Sequence, residues 1–530
     1  TRYLNIKAPE MMLYQDMISD ILYLSPMRQK RTELISKNTM DQSGLWKFSV
    51  SGDRPILLLT IEKVDDVEIL YDILKAHEYW RLKDLRVDLV IVLKEENDYF
   101  NTLQTMVNDI VESTQTMDVI RLRGDVFILN FNHMSAADLN LLHAVARMSF
   151  SGEEGNMEDQ YIKSHDLQLN QTQTKSLKYH LSKNISPMPL NGFDEKSLQF
   201  YNGIGGFNQK GDGYVIHLEN EQMTPLPWSN VIANENFGFV TTEMGGGYTW
   251  YGNSRENKLT PWSNDAVCDA QGEIIYISEY VDDSLDLWSM TPHPVREKEP
   301  YTIVHGFGHT TFTHNSHDII QELTQFVPLD DAVKINLITL KNESDRERTL
   351  TLTYYIKPVL GVDPGQTAMH LKSELDESGV LKFTNAYNHD FKGQALYMVS
   401  SSDQSTVCGD RNAFFGLGDE TLPYALLKAQ GLNNQVGSCL DPCGVIQFNM
   451  TLKAGERAKC VLLLGLEENA FSVTRKAELY RNVHHAEQTL QAVKTFWAEK
   501  LSIIQVDTPD IAMNIMLKDR KSVVVGKSVD

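Results

Sequence analysis

Residues 342–354 read Asn-Glu-Ser-Asp-Arg-Glu-Arg-Thr-Leu-Thr-Leu-Thr-Tyr. A turn-forming cluster, Asn342-Glu343-Ser344-Asp345, runs into strict alternation. Leu350, Leu352 and Tyr354 take one side, and Thr349, Thr351 and Thr353 the other. A period of two in β-branched and aromatic residues marks a half-buried strand. Short polar side chains that bond to their own backbone mark the turn before it. The same grammar recurs from 191 to 470, with no helical period over that length. Many short strands with regular turns predict a large antiparallel two-sheet sandwich.

On the amino-terminal side, residues 46–150 change grammar. Pro55–Ile61 and Val87–Leu93 are continuous apolar runs, as strands covered on both faces require. Between and after them come helical patterns over Val67–Arg81, Tyr99–Val111 and from Ser135, where Asp138 sits as in a capping box. Further short strands are predicted at Val119–Leu122 and Val126–Asn130. This order predicts a small parallel α/β unit. The turn after its first strand, Glu62-Lys63-Val64-Asp65-Asp66, is acidic and lacks glycine, so a nucleotide site is not expected. His77 lies on an apolar helix face and reads as a packed core residue. Residues 1–45 hold a short helix, Met11–Leu24, stopped by Pro26, and a connector; 151–190 read as a polar linker. Beyond the sandwich, 471–517 contain a linker helix with Ala486, Leu490, Val493 and Trp497 on one face. The fold class expected is thus α+β and multi-domain.

The chain has 49 basic and 71 acidic residues, a net charge of −22. That excludes nucleic acid or an anionic membrane surface as the main partner. Five scattered cysteines (268, 408, 439, 443 and 460) fit a reducing, cytoplasmic compartment. Cys439 and Cys443 lack the second pair that a zinc site needs. No run of 18 apolar residues exists, so no span is expected in this stretch. Gly526-Lys527-Ser528 ends like a phosphate loop, but Lys521 stands where its first glycine would be. No cofactor is expected.

Candidate binding chemistry concentrates at 224–269, where Pro-Trp-Ser-Asn occurs twice, at 227–230 and 261–264. Between the copies lie Gly245-Gly246-Gly247, Tyr248, Trp250 and Tyr251, then Asn253, Ser254, Arg255 and Glu256. A pyranose offers C–H faces that stack on aromatic rings, and hydroxyls that pair with amides, carboxylates and guanidinium groups. Trp228, Asn230, Trp250, Asn253, Arg255, Glu256, Trp262, Asn264 and Asp265 are therefore the candidate substrate-binding residues. The same tryptophans would equally serve as sandwich core, with the polar residues filling loops. His305, His309, His314 and His317 form a second cluster. On one strand the first two would face opposite to His314, and no carboxylate lies at matching spacing, so hydrogen-bonded histidines rather than a metal site are expected.

Longer stretches carry a family resemblance. NGIGGF (202–207), TPLPWSNVIANENFGF (224–239), GYTWYGNSRENKLTPWSND (247–265), the run from His305 to Ile335 and VGSCLDPCGVIQ (436–447) resemble the amino-terminal supersandwich of glycoside hydrolase family 94, formerly glycosyltransferase family 36. SVSGDRPILLLTI (49–61), AHEYWR (76–81) and VDLVIVL (87–93) are similar to the segment before the last sandwich in the cyclic β-1,2-glucan synthase branch of that family. The resemblance implies a β-supersandwich and a β-glucan ligand, β-1,2-linked. It also implies a membrane-associated parent with glycosyltransferase and phosphorylase-type modules. In the family the general acid lies in an (α/α)6 barrel after the sandwich. The resemblance stops at Leu517, and residues 518–530 match nothing in it. A fragment without the barrel or the transferase module, and without catalytic residues, is expected. The alternative is a stand-alone glycan-binding or scaffold protein.

Overall fold

A computed structural model describes residues 4, 6–94, 102–114, 126–169, 194–281, 284–427, 431–469, 473–503 and 505–524. The chain forms two compact units. The first comprises Thr1–Ser176 with Met369–Lys372 and Ala386–Lys392. Its strands are β1 (Ile56–Ile61), β2 (Asp88–Leu93), β3 (Val126–Asn130) and β4 (Ala146–Ser151), in the order β3-β2-β1-β4. All three pairings are parallel. Its helices are α1 (Ala8–Leu22), α2 (Thr32–Ser36), α3 (Glu68–Leu82), α4 (Thr102–Thr114), α5 (Ala136–Val145) and α6 (Met157–Leu169). In β1 the side chains of Leu57, Leu59 and Ile61 join one apolar cluster with α1, α3 and α4. Ile56 and Leu58 join another, with Leu141 and Leu142 of α5. Both faces are covered, which is why the strand reads as an unbroken apolar run.

Ser135 caps α5 as expected: its Oγ accepts from Asp138 N, and Asp138 Oδ2 accepts from Ser135 N at 2.9 Å. His77 is a core residue whose Nε2 lies 2.8 Å from the Val87 carbonyl oxygen. Residues 1–45 do more than connect. Tyr14, Met17 and Ile21 enter the first cluster, and the buried Arg28 donates to the carbonyls of Ala146 (2.7 Å) and Met369 (2.8 Å). Residues 157–169, expected as linker, are α6, with Met157 and Tyr161 in the core. The expected strand Val119–Leu122 and most of the expected linker lie outside the described residues.

The second unit comprises Leu177–Ala368, Ser373–Asn385 and Gly393–Asp530. Its strands are β5 (Gly205–Phe207), β6 (Gly213–Leu218), β7 (Ser229–Ala233), β8 (Phe237–Thr242), β9 (Gly247–Tyr251), β10 (Glu273–Val281) and β11 (Ser284–Ser289). There follow β12 (Tyr301–Gly306), β13 (His309–Ser316), β14 (Ile319–Phe326), β15 (Val333–Asn342) and β16 (Arg348–Ile356). The last are β17 (Leu371–Leu375), β18 (Leu381–Asn385), β19 (Ala395–Ser400), β20 (Thr406–Asp410), β21 (Pro442–Leu452) and β22 (Arg457–Glu467). A ten-stranded sheet runs β17-β18-β19-β22-β15-β14-β13-β12-β6-β5, a five-stranded one β11-β10-β16-β21-β20, and a small one β7-β8-β9. Glu273 of β10 meets Lys334 of β15 at 2.9 Å, and Trp288 of β11 donates to Gln321 of β14 at 2.8 Å, so the two larger sheets face each other. This is the antiparallel sandwich that the alternation at 349–354 predicts; Leu350, Leu352 and Tyr354 are all buried.

Short helices α7 (Pro364–Thr367) and α8 (Arg411–Phe415) sit in its connections. The expected carboxy-terminal helix is two, α9 (Val473–Tyr480) and α10 (Val483–Ser502), because Asn482 caps a new start by accepting from His485 N at 3.0 Å. Ala486 and Val493 pack on Ile335, Leu337 and Val461 of the ten-stranded sheet, with Leu490 and Trp497 beside them. A further helix, α11 (Ile511–Val524), runs through part of the tail that matches nothing in the family pattern. Among the described residues no helix is long and apolar enough to cross a membrane.

Candidate functional site

The small sheet β7-β8-β9 and the loop after it carry the stretch with the repeated tetrapeptide. Phe237 and Phe239 of β8 point inward and are buried, while Val231 of β7 is exposed. The triple glycine follows from close packing. A Cβ on Gly246 would collide with the Asp269 carboxylate, and one on Gly245 with Thr291. Gly247 has φ +132°, and a Cβ there would collide with the Val240 carbonyl oxygen. Gly247→Ala is expected to cost about 2–3 kcal/mol through backbone strain, measured as a lowered urea midpoint.

The two Pro-Trp-Ser-Asn copies have different fates. In the first, Trp228 is half-buried; its N–H donates to Glu243 Oε2 at 2.7 Å and its ring meets Tyr214 edge-on at 5.7 Å. Asn230 is a bracket: its Nδ2 donates to Gly306 O, His309 O and Thr310 Oγ1 at 3.0–3.2 Å. That amide nitrogen is engaged by backbone and hydroxyl groups of β12 and β13. In the second copy, Trp262 stacks on Tyr248 (5.1 Å, 29°), and Tyr248 meets Trp250 at 5.2 Å. These three half-buried rings form one aromatic cluster. Trp250 also lies across Gly238, where a Cβ would be 2.5 Å from its ring.

The polar candidates beside the rings are exposed. Asn253 Oδ1 accepts from Arg255 N (2.9 Å) and Glu256 N (3.0 Å), folding the turn that follows β9. Arg255 and Glu256 pair with each other at 3.3 Å. Asn264 is left-handed, with φ +51°. Asp265 Oδ1 accepts from Cys268 N (3.1 Å) and Val267 N (2.9 Å), bonds that hold its carboxyl below the ordinary range. Trp250, Trp262 and the 253–256 turn thus lie close along the chain, whereas Trp228 and Asn230 belong to a separate group with Tyr214 and the β12–β13 hairpin.

Sequence reasoning passed over three inward-facing carboxylates in and just after this stretch. Glu243 accepts from Trp228 N and Thr224 Oγ1, and Asp269 accepts from Thr242 Oγ1 at 2.5 Å; burial raises both pKa values. Glu273 accepts from Thr249 Oγ1 (2.5 Å), Thr260 Oγ1 (2.9 Å), Lys334 Nζ (2.9 Å) and Tyr354 Oη (3.1 Å). Burial would raise its pKa, but Lys334 and the hydroxyls outweigh that and lower it. Gly245–Gly247, Glu273, Lys334 and Tyr354 line a small, partly open cavity of about 20 Å³, room for one water. These acids face inward and are hydrogen-bonded, an arrangement suited to holding a fold rather than moving protons on a substrate.

The histidine run is a hairpin rather than one strand: His305 is the penultimate residue of β12, His309 starts β13, and His305 pairs with Thr310. His305 is held by Thr310 Oγ1 and the Trp228 carbonyl, each at 3.0 Å. Burial pushes His305 and His314 down to about 4, so both are neutral at pH 7. His317 stacks on Trp288 at 4.2 Å. Burial works against its charge, yet Asp286 and Glu297 raise it to about 9. The carboxylates that the run's own spacing lacks come from β11 and from the loop before β12. All five cysteines are free thiols.

The family model for the glycosyl hydrolase 94 supersandwich domain matches residues 212–483, just over half of the chain. The chain belongs to that family. Among relatives of this family 94 chain, the cyclic beta-(1,2)-glucan synthase of Rhizobium meliloti (strain 1021) is 28% identical over 97% of the chain. The N,N'-diacetylchitobiose phosphorylase of Vibrio proteolyticus is 28% identical over 59% of it. The solabiose phosphorylase of Paenibacillus borealis is 26% identical over 57%. The chain spans 18% of the synthase's length and about 40% of each phosphorylase's. The family 94 match runs from the start of β6 to the start of α10, almost entirely within the second unit, where the candidate residues lie.

Proposed function

We propose that this chain is the carbohydrate-binding and scaffolding portion of a larger enzyme acting on β-linked glucans, β-1,2-linked ones first, and that it performs no bond cleavage itself. What supports this reading most is that similarity to the glucan synthase runs through both units, whereas similarity to the phosphorylases covers 57–59% of the chain. The aromatic cluster supports it too: Tyr248, Trp250 and Trp262 are half-buried rings, and the exposed Arg255 and Glu256 lie between them in the chain. The buried carboxylates are held by hydroxyl, amide and ammonium donors, which suits a supporting role. In this reading residues 191–470 hold the glycan, and 471–517 carry the sandwich toward an (α/α)6 barrel, in the cytoplasm of a cell whose full enzyme also bears a glycosyltransferase module.

Titrating the purified chain with β-1,2-glucooligosaccharides tests the proposal. Saturable binding without release of glucose 1-phosphate in phosphate buffer is expected. Trp262→Ala should weaken binding about tenfold, the scale of one lost aromatic stacking contact, with little change in melting temperature. Trp250→Ala should weaken binding similarly but also lower the melting temperature, because its ring covers Gly238. Phosphorolysis by the chain, or binding indifferent to both variants, would overturn the reading.

A further inference from the structure

The loop between β11 and β12 brings two glutamates to a buried histidine. One carboxylate oxygen from each of Glu297 and Glu299 and one ring nitrogen of His314 lie within 4.8 Å of one another. His314 is fully buried. Its ring lies flat on Tyr301, with centroids 3.8 Å apart and planes 2° from parallel, so its orientation is fixed. Its Nδ1 is 3.0 Å from the Pro300 carbonyl oxygen. A nitrogen facing a carbonyl carries the proton, so Nε2 holds the lone pair. Nε2 is inaccessible to solvent and has no hydrogen-bond partner among the described residues.

A neutral imidazole with one N–H given to a backbone carbonyl and the other nitrogen free is the arrangement found in metal-ligating histidines. The nearby groups suit a cation as well. Glu297 meets His317 Nε2 through Oε2 at 2.8 Å, which leaves its second oxygen for another ligand. Asp286 stands 3.7 Å from Nδ1 of the same imidazole. Against Glu297, Glu299 and Asp286 there stand His317 and, close to His314, Arg296. That balance leaves a negative site. Neither glutamate is fully buried, so both have room to close on an ion. Ligand atoms about 2.1 Å from a tetrahedral centre lie roughly 3.4 Å apart, a modest contraction from the present spacing.

We propose that Glu297, Glu299 and His314 form a site for one divalent transition cation of the Zn²⁺ kind, with water in the remaining position. One imidazole and two carboxylates suit Zn²⁺, whereas Ca²⁺ and Mg²⁺ prefer all-oxygen shells. The ion ties the loop leaving β11, in the five-stranded sheet, to β13 in the ten-stranded sheet, and so clamps one end of the sandwich. Its role is structural and independent of glucan binding.

The test uses the full chain, stripped with a chelator, dialysed and titrated with ZnCl₂ by calorimetry, with melting followed in parallel. One equivalent of Zn²⁺ should bind and raise the melting temperature, and Ca²⁺ should bind more weakly. Glu299→Gln should lower Zn²⁺ affinity by more than about tenfold, the least that loss of a ligand is expected to cost. It should also abolish the thermal shift while leaving the metal-free melting temperature unchanged. His484→Ala/His485→Ala, which removes two histidines of α10, should bind Zn²⁺ as the parent does. No saturable uptake, a preference for Ca²⁺, unaltered binding by Glu299→Gln, or loss of binding in the α10 variant would each overturn the proposal.

Discussion

Replacing Glu273 with alanine is expected to cost about 3–5 kcal/mol of folding stability, the range for breaking one partner out of a buried ion pair. The Lys334 side chain is 5% exposed and would lose its carboxylate 2.9 Å away. Its remaining favourable contact is the face of Phe239, with Nζ 4.2 Å from the ring centroid. That interaction contributes on the order of 1–2 kcal/mol, too little to hold a desolvated ammonium group. The hydroxyls of Thr249, Thr260 and Tyr354 lose their acceptor at the same time. A urea titration of the variant would show the loss as a lower midpoint. Glu273→Met/Lys334→Met together should recover most of it, because removing both charges avoids the stranded one. The same group sets a pH dependence. Its folded pKa lies below the ordinary 4.5. Its contribution is therefore complete above about pH 4.5 and is lost as pH falls through the lower folded value. The stability of Glu273→Ala should fall less steeply in that acid range than that of the parent.

Arg348→Met should cost about 3 kcal/mol, the lower end of the same range. Arg348 and Glu279 are 3% and 4% exposed. The guanidinium grips the carboxylate twice, with Nε donating to Oε1 at 2.6 Å and Nη2 to Oε2, and its Nη1 donates to the His317 carbonyl at 2.7 Å. The loss is tempered because Arg346 stands 3.6 Å from Glu279 and can swing in. Arg348→Lys keeps the charge but not the fork, so it should fall between parent and Arg348→Met. Since Arg348 holds the backbone of His317, and His317 stacks on Trp288, the methionine variant should also change near-ultraviolet circular dichroism. Unchanged urea midpoints in both variants would refute this account of the pair.

What the sequence made legible, and what it hid, follows from the range of the forces involved. The runs ILLLTI and DLVIVL were readable because burial on both faces leaves a local mark. The strand Ala146–Ser151 was overlooked although Ala146, Met148 and Phe150 alternate with half-buried neighbours. It leaves α5 without a glycine or proline, so nothing announces the change of period. The histidine spacing, laid on one strand, gives the wrong facing because the run turns back at Gly308, at φ +73°, which fits under Trp497 from far along the chain. At the candidate site, the two Pro-Trp-Ser-Asn copies are identical in sequence. Their surroundings differ because Tyr214 partners one and Tyr248 the other. The three partners of Asn230 lie 76 to 80 residues away, contacts that its neighbours in the chain do not announce. The inward turn of Glu243 and Asp269 stays hidden because local sequence does not record which carboxylates a fold buries.

The pairing of β15 with β22 bears on how the chain comes off the ribosome. Val333–Asn342 lies against Arg457–Glu467 along nine residue pairs, deep in the ten-stranded sheet. The meander β12-β13-β14-β15 can form as soon as it emerges, since its connections are short. Its last strand, with Ile335, Leu337 and Ile338, then waits for a partner made more than a hundred residues later. At ordinary elongation rates of 5–20 residues per second the wait is on the order of ten seconds. During that time a long apolar edge is open to other nascent chains. A chain terminated before β22 should accordingly accumulate in inclusion bodies and depend on chaperones, whereas one extended through α10 closes the edge and covers the sheet with its own helices.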